Sequence, residues 1–482
     1  MQQELKENMT TEKLSKVSMI DYRKATATAI IVFALTVLPP RRSHAEDSLD
    51  TKFMYYQEDN ARIKVLAPEF SLQHETDSGW VIKLDGIYNA ISGATPVGAP
   101  PIPAAPVTSR RTATSSSSSG STPAAPPATP VVTQPGGEKE NDFIVRRGNY
   151  SAALYSAVTA ATPVATPTPP PASSPSTPST PASSTPSSGG SSPSTTQQAS
   201  QQASNSRIPL ADFNDSRWAF NIGLSKRVGN HTPGVQLSYS QESDYLSTGF
   251  SLQDNVDFNK KNTTLAFGGA YTHDSLTPAN GRPSETKDSI DALLGISQVI
   301  TKTTVFTANL TIGEVSGFIS DPYKLAEVNG ALIYENRPDS KTKEILFFGL
   351  QQFITPLDAS IDLGFRYYTD SFGINAETFS LTWFQKINPK FTISPIVRYY
   401  TQTAADFYDV RFSGSPEFYS SDYRVSDLTS ISYGVKFIWM PTTKLTLDAG
   451  VERYEMSGND GKTDPQMYPT AFLFMVGAHV SF

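Results

Sequence analysis

The segment from Ala471 to Phe482, AFLFMVGAHVSF, alternates without a break. Phe472, Phe474, Val476, Ala478, Val480 and Phe482 share one parity, and Leu473, Met475, Gly477, His479 and Ser481 share the other. A period of two sustained over a segment predicts a strand with two unlike faces. The same alternation recurs upstream. Trp218, Phe220, Ile222 and Leu224 stand against Ala219, Asn221, Gly223 and Ser225, and Phe306, Ala308, Leu310 and Ile312 against Val305, Thr307, Asn309 and Thr311. Ile361, Leu363, Phe365 and Tyr367 alternate with Asp362, Gly364, Arg366 and Tyr368, as do Leu445, Leu447, Ala449 and Val451 with Thr446, Asp448, Gly450 and Glu452. Before residue 92, FMYYQE, RIKVLAPEFSLQHE and WVIKLDGIYNAI supply three more strands, the last two separated by TDSG. Apolar-out, polar-in strands suit a membrane barrel, although one such strand alone would equally suit the edge of a soluble sandwich.

The connections decide between the two. Short ones recur at GNHT (229–232), NKKN (259–262), TKT (301–303), NPK (388–390) and PTTK (441–444). Longer, charged ones lie between them at 274–288, 314–342, 403–427 and 456–468. This alternation marks an outer-membrane barrel with tight periplasmic turns and long outer loops. Counting back from a last strand that descends to the periplasm gives about 16 strands, an even number, with a periplasmic N-terminus. The predicted fold is therefore all-β, a transmembrane up-and-down antiparallel β-barrel.

One segment departs from the pattern. Residues 92–206 are mostly Pro, Ser, Thr, Ala and Gly, a composition that buries too little apolar surface to offset ordering entropy. A long disordered extracellular loop is expected there, with the island Gly136 to Ala160 read as solvated. Strand-like sequence on both sides places it inside one barrel, built from residues 46–91 and 207–482. At the front, Arg23 and Lys24, the apolar run Ala25 to Leu38, Pro39 and Pro40, and the small-residue site Ser43-His44-Ala45 read as a secretory signal peptide over 1–45, cleaved after Ala45. The run is 14 residues long, short of the roughly 20 a spanning helix needs. Met9 or Met19 would serve as the start equally well.

Composition narrows the function. Without a single Cys in 482 residues, disulfides and thiolate metal sites are ruled out. A net charge of -7 with no basic stripe argues against nucleic acid as a partner. Of the five His, only His273 beside Asp274 resembles part of a hydrolase site, and no nucleophile stands with it, so no catalytic residue and no enzyme activity are expected. Asp254, Asp257, Asp406 and Asp409 have calcium-ligating chemistry, but no loop has the EF-hand order and they read as solvated acids. No metal or cofactor is expected.

The repeated Arg-Tyr-Tyr-Thr, at 366–369 and 398–401, is more informative. Parity sends Tyr367 and Tyr399 outward as part of an aromatic girdle, and Arg366 and Arg398 inward. The other predicted lumen-lining charges are Asp362, Lys436, Asp448 and Glu452. Both signs are present, which suits a water-filled channel with a transverse field or a lumen closed by salt bridges. Loop 314–342 is long enough to fold into the mouth.

Several motifs together carry a family resemblance: TPGVQLSYSQESDYLSTGFSL, VDFNKKNTTLAFG, GFISDPYKL, FRYYTDSFGI, VRYYTQTAADFY and SSDYRVSD. Across residues 80–91 and 212–482 the chain resembles an uncharacterised family of Gram-negative outer-membrane barrels known as a domain of unknown function; the 92–206 insert departs from its pattern. The resemblance implies location and architecture, and carries no activity. The terminal Phe482 likewise resembles the assembly signal of such barrels, so outer-membrane lipid and the barrel-assembly machinery are expected partners. A porin-like channel for small polar solutes is the expected function, the alternative being a non-conducting scaffold or surface-display barrel that binds a periplasmic or surface protein. Nothing in the sequence indicates an oligomeric state.

Overall fold

Backbone polar groups have no partners in hydrocarbon, so strands cross a membrane only as a closed ring. The computed structural model describes residues 47–59, 62–98 and 208–482, and its strands close that ring. The wall has 16 strands: β1 (Ser48–Glu58), β2 (Ile63–Glu75), β3 (Trp80–Pro96), β4 (Leu210–Lys226), β5 (His231–Gln241), β6 (Tyr245–Phe258), β7 (Thr263–Leu276), β8 (Glu285–Thr301), β9 (Thr304–Gly317), β12 (Ser340–Ile354), β13 (Ala359–Asp370), β14 (Asn375–Asn388), β15 (Phe391–Gln402), β16 (Leu428–Trp439), β17 (Leu445–Gly458) and β18 (Thr470–Ser481). A separate two-stranded hairpin, β10 (Leu325–Val328) and β11 (Ala331–Tyr334), lies in the β9–β12 connection. Each wall strand pairs antiparallel with its chain neighbour, and β1 closes on β18 from Ser48↔Ser481 to Glu58↔Ala471.

The expected antiparallel barrel of 16 strands is what forms, with one boundary moved. β3 runs on to Pro96 and pairs there with the start of β4 (Pro96↔Leu210, Ser92↔Asn214), so residues 92–96 belong to the wall. Ladder pairing needs only backbone groups, and a composition poor in apolar side chains does not prevent it. The signal-peptide expectation for 1–45 and most of the 92–206 loop lie outside the described residues.

The outer face is apolar along its middle. Ile222, Leu237, Ile290, Leu294 and Val476 are each more than half exposed, a state that only lipid makes comfortable for so many large side chains. Among the described residues no helix is long and apolar enough to cross a membrane; the strands do the crossing. The two ends of the barrel differ. One carries tight turns such as residues 302–303 and 389–390, and the other carries connections as long as 318–339 and 403–427. On β6 and β8 the inner face is more deeply buried toward the loops. At the loop end Tyr245 of β6 and Lys287, Ser289 and Asp291 of β8 are buried, whereas Ser251, Gln253 and Ser297, further toward the turns, are half-buried.

Candidate functional site

The inner wall is set by strand parity. On β13, Asp362 and Arg366 lie on the face opposite Phe365 and Tyr367, whose register partners on β12, Phe348 and Leu346, are exposed. On β15, Arg398 and Tyr400 lie opposite Val397 and Tyr399, both of which are exposed. Tyr367 gives its hydroxyl to Asn375 Oδ1 at 3.0 Å. Arg366 and Arg398 stand two strands apart and one step out of level, since β14 Thr378 pairs with Arg366 and Tyr400 while Ser380 pairs with Arg398. The Arg366 guanidinium lies 5.7 Å from the Tyr368 ring centroid, and Gln351 Nε2 donates to Asp362 Oδ2 at 3.3 Å.

Lys436, Asp448 and Glu452 occupy the inner face of β16 and β17, opposite the exposed Tyr433, Phe437 and Ala449. Gly434 and Gly477 face Glu452 and Asp448 across the ladder, and a Cβ at either position would run into the carboxylate side chain. These two glycines clear space for the acids.

Three further inner cations lie at the loop end. Lys343 Nζ sits 2.9 Å from Asp291 Oδ1, Lys287 Nζ 3.1 Å from Asp274 Oδ2, and Lys341 Nζ 3.9 Å from Asp370 Oδ2. Sequence reasoning missed Lys287 and Lys341 because 274–288 and 314–342 read as loops, and Lys343 because it stands at the very edge of the second; in the structure β8 starts at Glu285 and β12 at Ser340. Period-two parity extended by three or four residues would have found them. Five cations thus line β8, β12, β13 and β15. Asp215 on β4 and Glu242 and Asp244 just after β5 stand three to eight steps of the wall away, with Arg217 at 3.8 Å from Glu242.

The loop-end mouth is covered by a lid of two connections. The β10–β11 hairpin turns at Asn329-Gly330, both with positive φ (52° and 82°), the pairing that a type I′ turn requires. Its strands dock on residues 403–427: Asn329 N bonds Phe412 O at 2.9 Å, Phe412 N bonds Glu327 O at 2.8 Å, and Asn336 and Tyr419 exchange both backbone bonds. Beneath this seam is a buried ion cluster. Arg337 Nη2 lies 2.8 Å from Asp422 Oδ2, Arg337 Nε 2.7 Å from Glu335 Oε1, and Arg424 Nη2 2.7 Å from Asp321 Oδ2. The side chains of Lys324, Glu335 and Asp422 are wholly buried. Burial works to raise the Asp422 carboxyl, but Arg424, Lys324 and Arg337 together hold it well below the usual carboxylate range. Burial in turn brings Lys324 down to about 8, against the pull of Asp422.

The lid is tied to the far wall. Lys324 Nζ donates to Pro96 O at 2.6 Å, Leu325 N to Val97 O at 2.9 Å, and the Tyr323 hydroxyl to Asp244 Oδ2 at 2.5 Å. Burial pushes the Asp244 carboxyl up to about 7 and that of Glu242 well above its usual range.

The one pair that suggested catalysis is taken apart by the fold. His273 Nδ1 lies 2.8 Å from Asp288, while neighbouring Asp274 points to the opposite face and meets Lys287. Adjacent strand residues project to opposite faces, so a His-Asp dipeptide in a strand is never a dyad. The four acids with calcium chemistry are equally dispersed: Asp254 meets His231 and Asp257 meets Arg227, both at 2.6 Å, Asp409 meets Lys462 at 3.2 Å, and Asp406 packs beside Gly373.

Residues 23–289 and 283–471 match a family described as "Protein of unknown function (DUF3570)". The chain belongs to this family. No curated protein matches this DUF3570 chain. Among solved structures it is similar to the siderophore receptor PirA from Acinetobacter baumannii (10% identity, TM-score 0.38, 86% of this chain and 54% of that one). It is also similar to the PirA of Pseudomonas aeruginosa (8%, 0.38, 92% and 62%) and to the outer membrane protein opdK of the same organism (9%, 0.36, 91% and 99%). The DUF3570 chain spans little more than half the length of the receptors.

Proposed function

We propose that this outer-membrane-type barrel is a porin-like channel for small polar solutes, narrowed at its outer mouth by the lid. The observation that carries the reading is the inner wall, which holds charges of both signs: Lys341, Lys343, Arg366 and Arg398 on β12 to β15, and Asp215, Glu242 and Asp244 on β4 and just after β5. A ring of 16 strands is wide enough to hold an aqueous path, and opposed charges across it orient polar solutes and select among ions. On this reading the turn end faces the periplasm, Phe482 directs assembly in the outer membrane, and the protein performs no catalysis. The buried ion cluster of the lid favours a second reading, a closed barrel that acts as a scaffold for a protein partner.

Reconstitution of the whole chain in a planar bilayer separates them. Stepwise conductance is expected, with ion selectivity moved toward cations by Arg366→Glu or Arg398→Glu. A membrane that stays silent with the chain inserted, both as it is and after the lid is loosened, would leave only the scaffold.

A further inference from the structure

We propose that Asp215, Glu242 and Asp244 form a binding site for one divalent cation, calcium in preference to magnesium, at the loop end of the barrel. One oxygen from each carboxylate can be chosen so that all three lie within 4.8 Å of one another. Two ligands on opposite sides of a calcium ion, at bonds of about 2.4 Å, are separated by about the same distance. The donors are all oxygen, the set that hard cations take.

A second observation points to a ligand independently of the clustering. The Glu242 side chain is 1% exposed, yet its Oε2 has no hydrogen-bond partner, and neither does the buried Oδ1 of Asp244. The nearest cation does not satisfy Glu242: Arg217 Nε stands 3.8 Å from Oε1 and donates instead to Ser240 Oγ at 2.9 Å. A carboxylate oxygen taken out of water without a donor is costly. The remaining oxygens are held for the purpose: Asp215 accepts from Ser216 N at 2.7 Å and Ser243 Oγ at 3.1 Å, and Asp244 Oδ2 from the lid residue Tyr323. A cation bridging Asp244 to the wall therefore also fixes the point where the lid is latched. The site does not depend on the channel reading, because a silent barrel would bind the ion equally well.

The test uses the full chain folded in detergent, stripped with a chelator and titrated with calcium chloride by calorimetry at neutral pH, with magnesium chloride in parallel. One site per chain is expected, weakened by about tenfold or more in Glu242→Gln and in Asp244→Asn, and unchanged in Asp406→Asn. Terbium luminescence sensitised through Tyr245 and Tyr323 gives a second readout, quenched by calcium and lost in the same two variants. Heat-dependent gel mobility verifies that each variant is a folded barrel. Absence of uptake would mean that the carboxylates hold protons instead, and uptake unaltered by Glu242→Gln and Asp244→Asn would place the ion elsewhere; either result overturns the proposal.

Discussion

The two halves of the barrel interior are built from the same strands yet treat charge in different ways. Toward the turns, inner residues such as Lys83 and Asp85 stay partly open, with side chains 45% and 22% exposed at a separation of 3.3 Å. An ion pair of that kind contributes little, because water screens it and loses little when it breaks. Toward the loops, Lys343 and Asp291 are 1% and 3% exposed and Lys324 and Asp422 are wholly buried. There each charge is held only by its partners, and removing one strands the rest. Parity is the same in both halves; the lid makes the difference by excluding water from one of them.

The largest way to break this contrast is Asp422→Ala. Arg337, Arg424 and Lys324 all converge on this carboxylate, and leaving such charges uncompensated costs about 3–5 kcal/mol. The barrel itself is expected to persist, with unchanged heat-dependent mobility, while the lid loosens. Ser289→Cys, placed on a residue only 2% exposed beneath the lid, reports it: in a chain with no native Cys, the thiol should resist a polar reagent alone and react quickly when combined with Asp422→Ala. Rapid labelling of Ser289→Cys by itself would show that the loop half is not sealed.

A smaller effect sharpens the outer boundary of the same wall. Leu294 of β8 is 58% exposed on the outer face, next to buried Leu293 on the inner one. Leu294→Arg should lower barrel stability by about 2–4 kcal/mol if that position meets the middle of the bilayer. Ser251→Arg, on the half-buried inner face of β6, should lower it far less. Urea unfolding in lipid vesicles measures both, and equal losses would contradict the assignment of faces.

These contrasts separate what could be read from the chain from what could not. Strand parity from Trp218 to Leu224 and from Ile361 to Tyr368, together with the spacing of short and long connections, was enough for a closed antiparallel barrel, because period two and tight turns are local. The cationic wall was half legible: Arg366 and Arg398 sit in regular strands, but Lys287 and Lys341 sit where strands run on into what reads as loop, and Lys343 stands at its edge. The lid was foreseen only as a length of chain able to fold inward. Its Asn329-Gly330 turn is a local signal that could have been found. Its ion cluster is not: Asp422 meets Arg337 across 85 residues and Arg424 meets Asp321 across 103, and no periodicity encodes such meetings. The Asp215, Glu242 and Asp244 cluster joins residues on β4 and after β5 for the same reason.

The smallest expected effect is a pH dependence of the lid. Lys324 is surrounded by Asp422, Arg424, Asp321 and Glu335, and burial holds it down to about 8, below the roughly 10.4 of a lysine in water. A group whose pKa falls on closure binds fewer protons in the closed state, so the cost of burying its charge is fully present below about pH 8 and fades as the pH climbs toward the ordinary lysine value. Closure should therefore tighten between pH 7.5 and 9.5. The Leu325 amide, bonded to Val97 O across the mouth, reads this directly: its hydrogen-exchange protection, corrected for the intrinsic rate, should rise over that range and the rise should vanish in Lys324→Met. A protection factor that falls instead would mean that the Lys324 ammonium, donating to Pro96 O and facing Asp422, gains more from its partners than burial takes away, and that the loop half is closed by its charge rather than in spite of it.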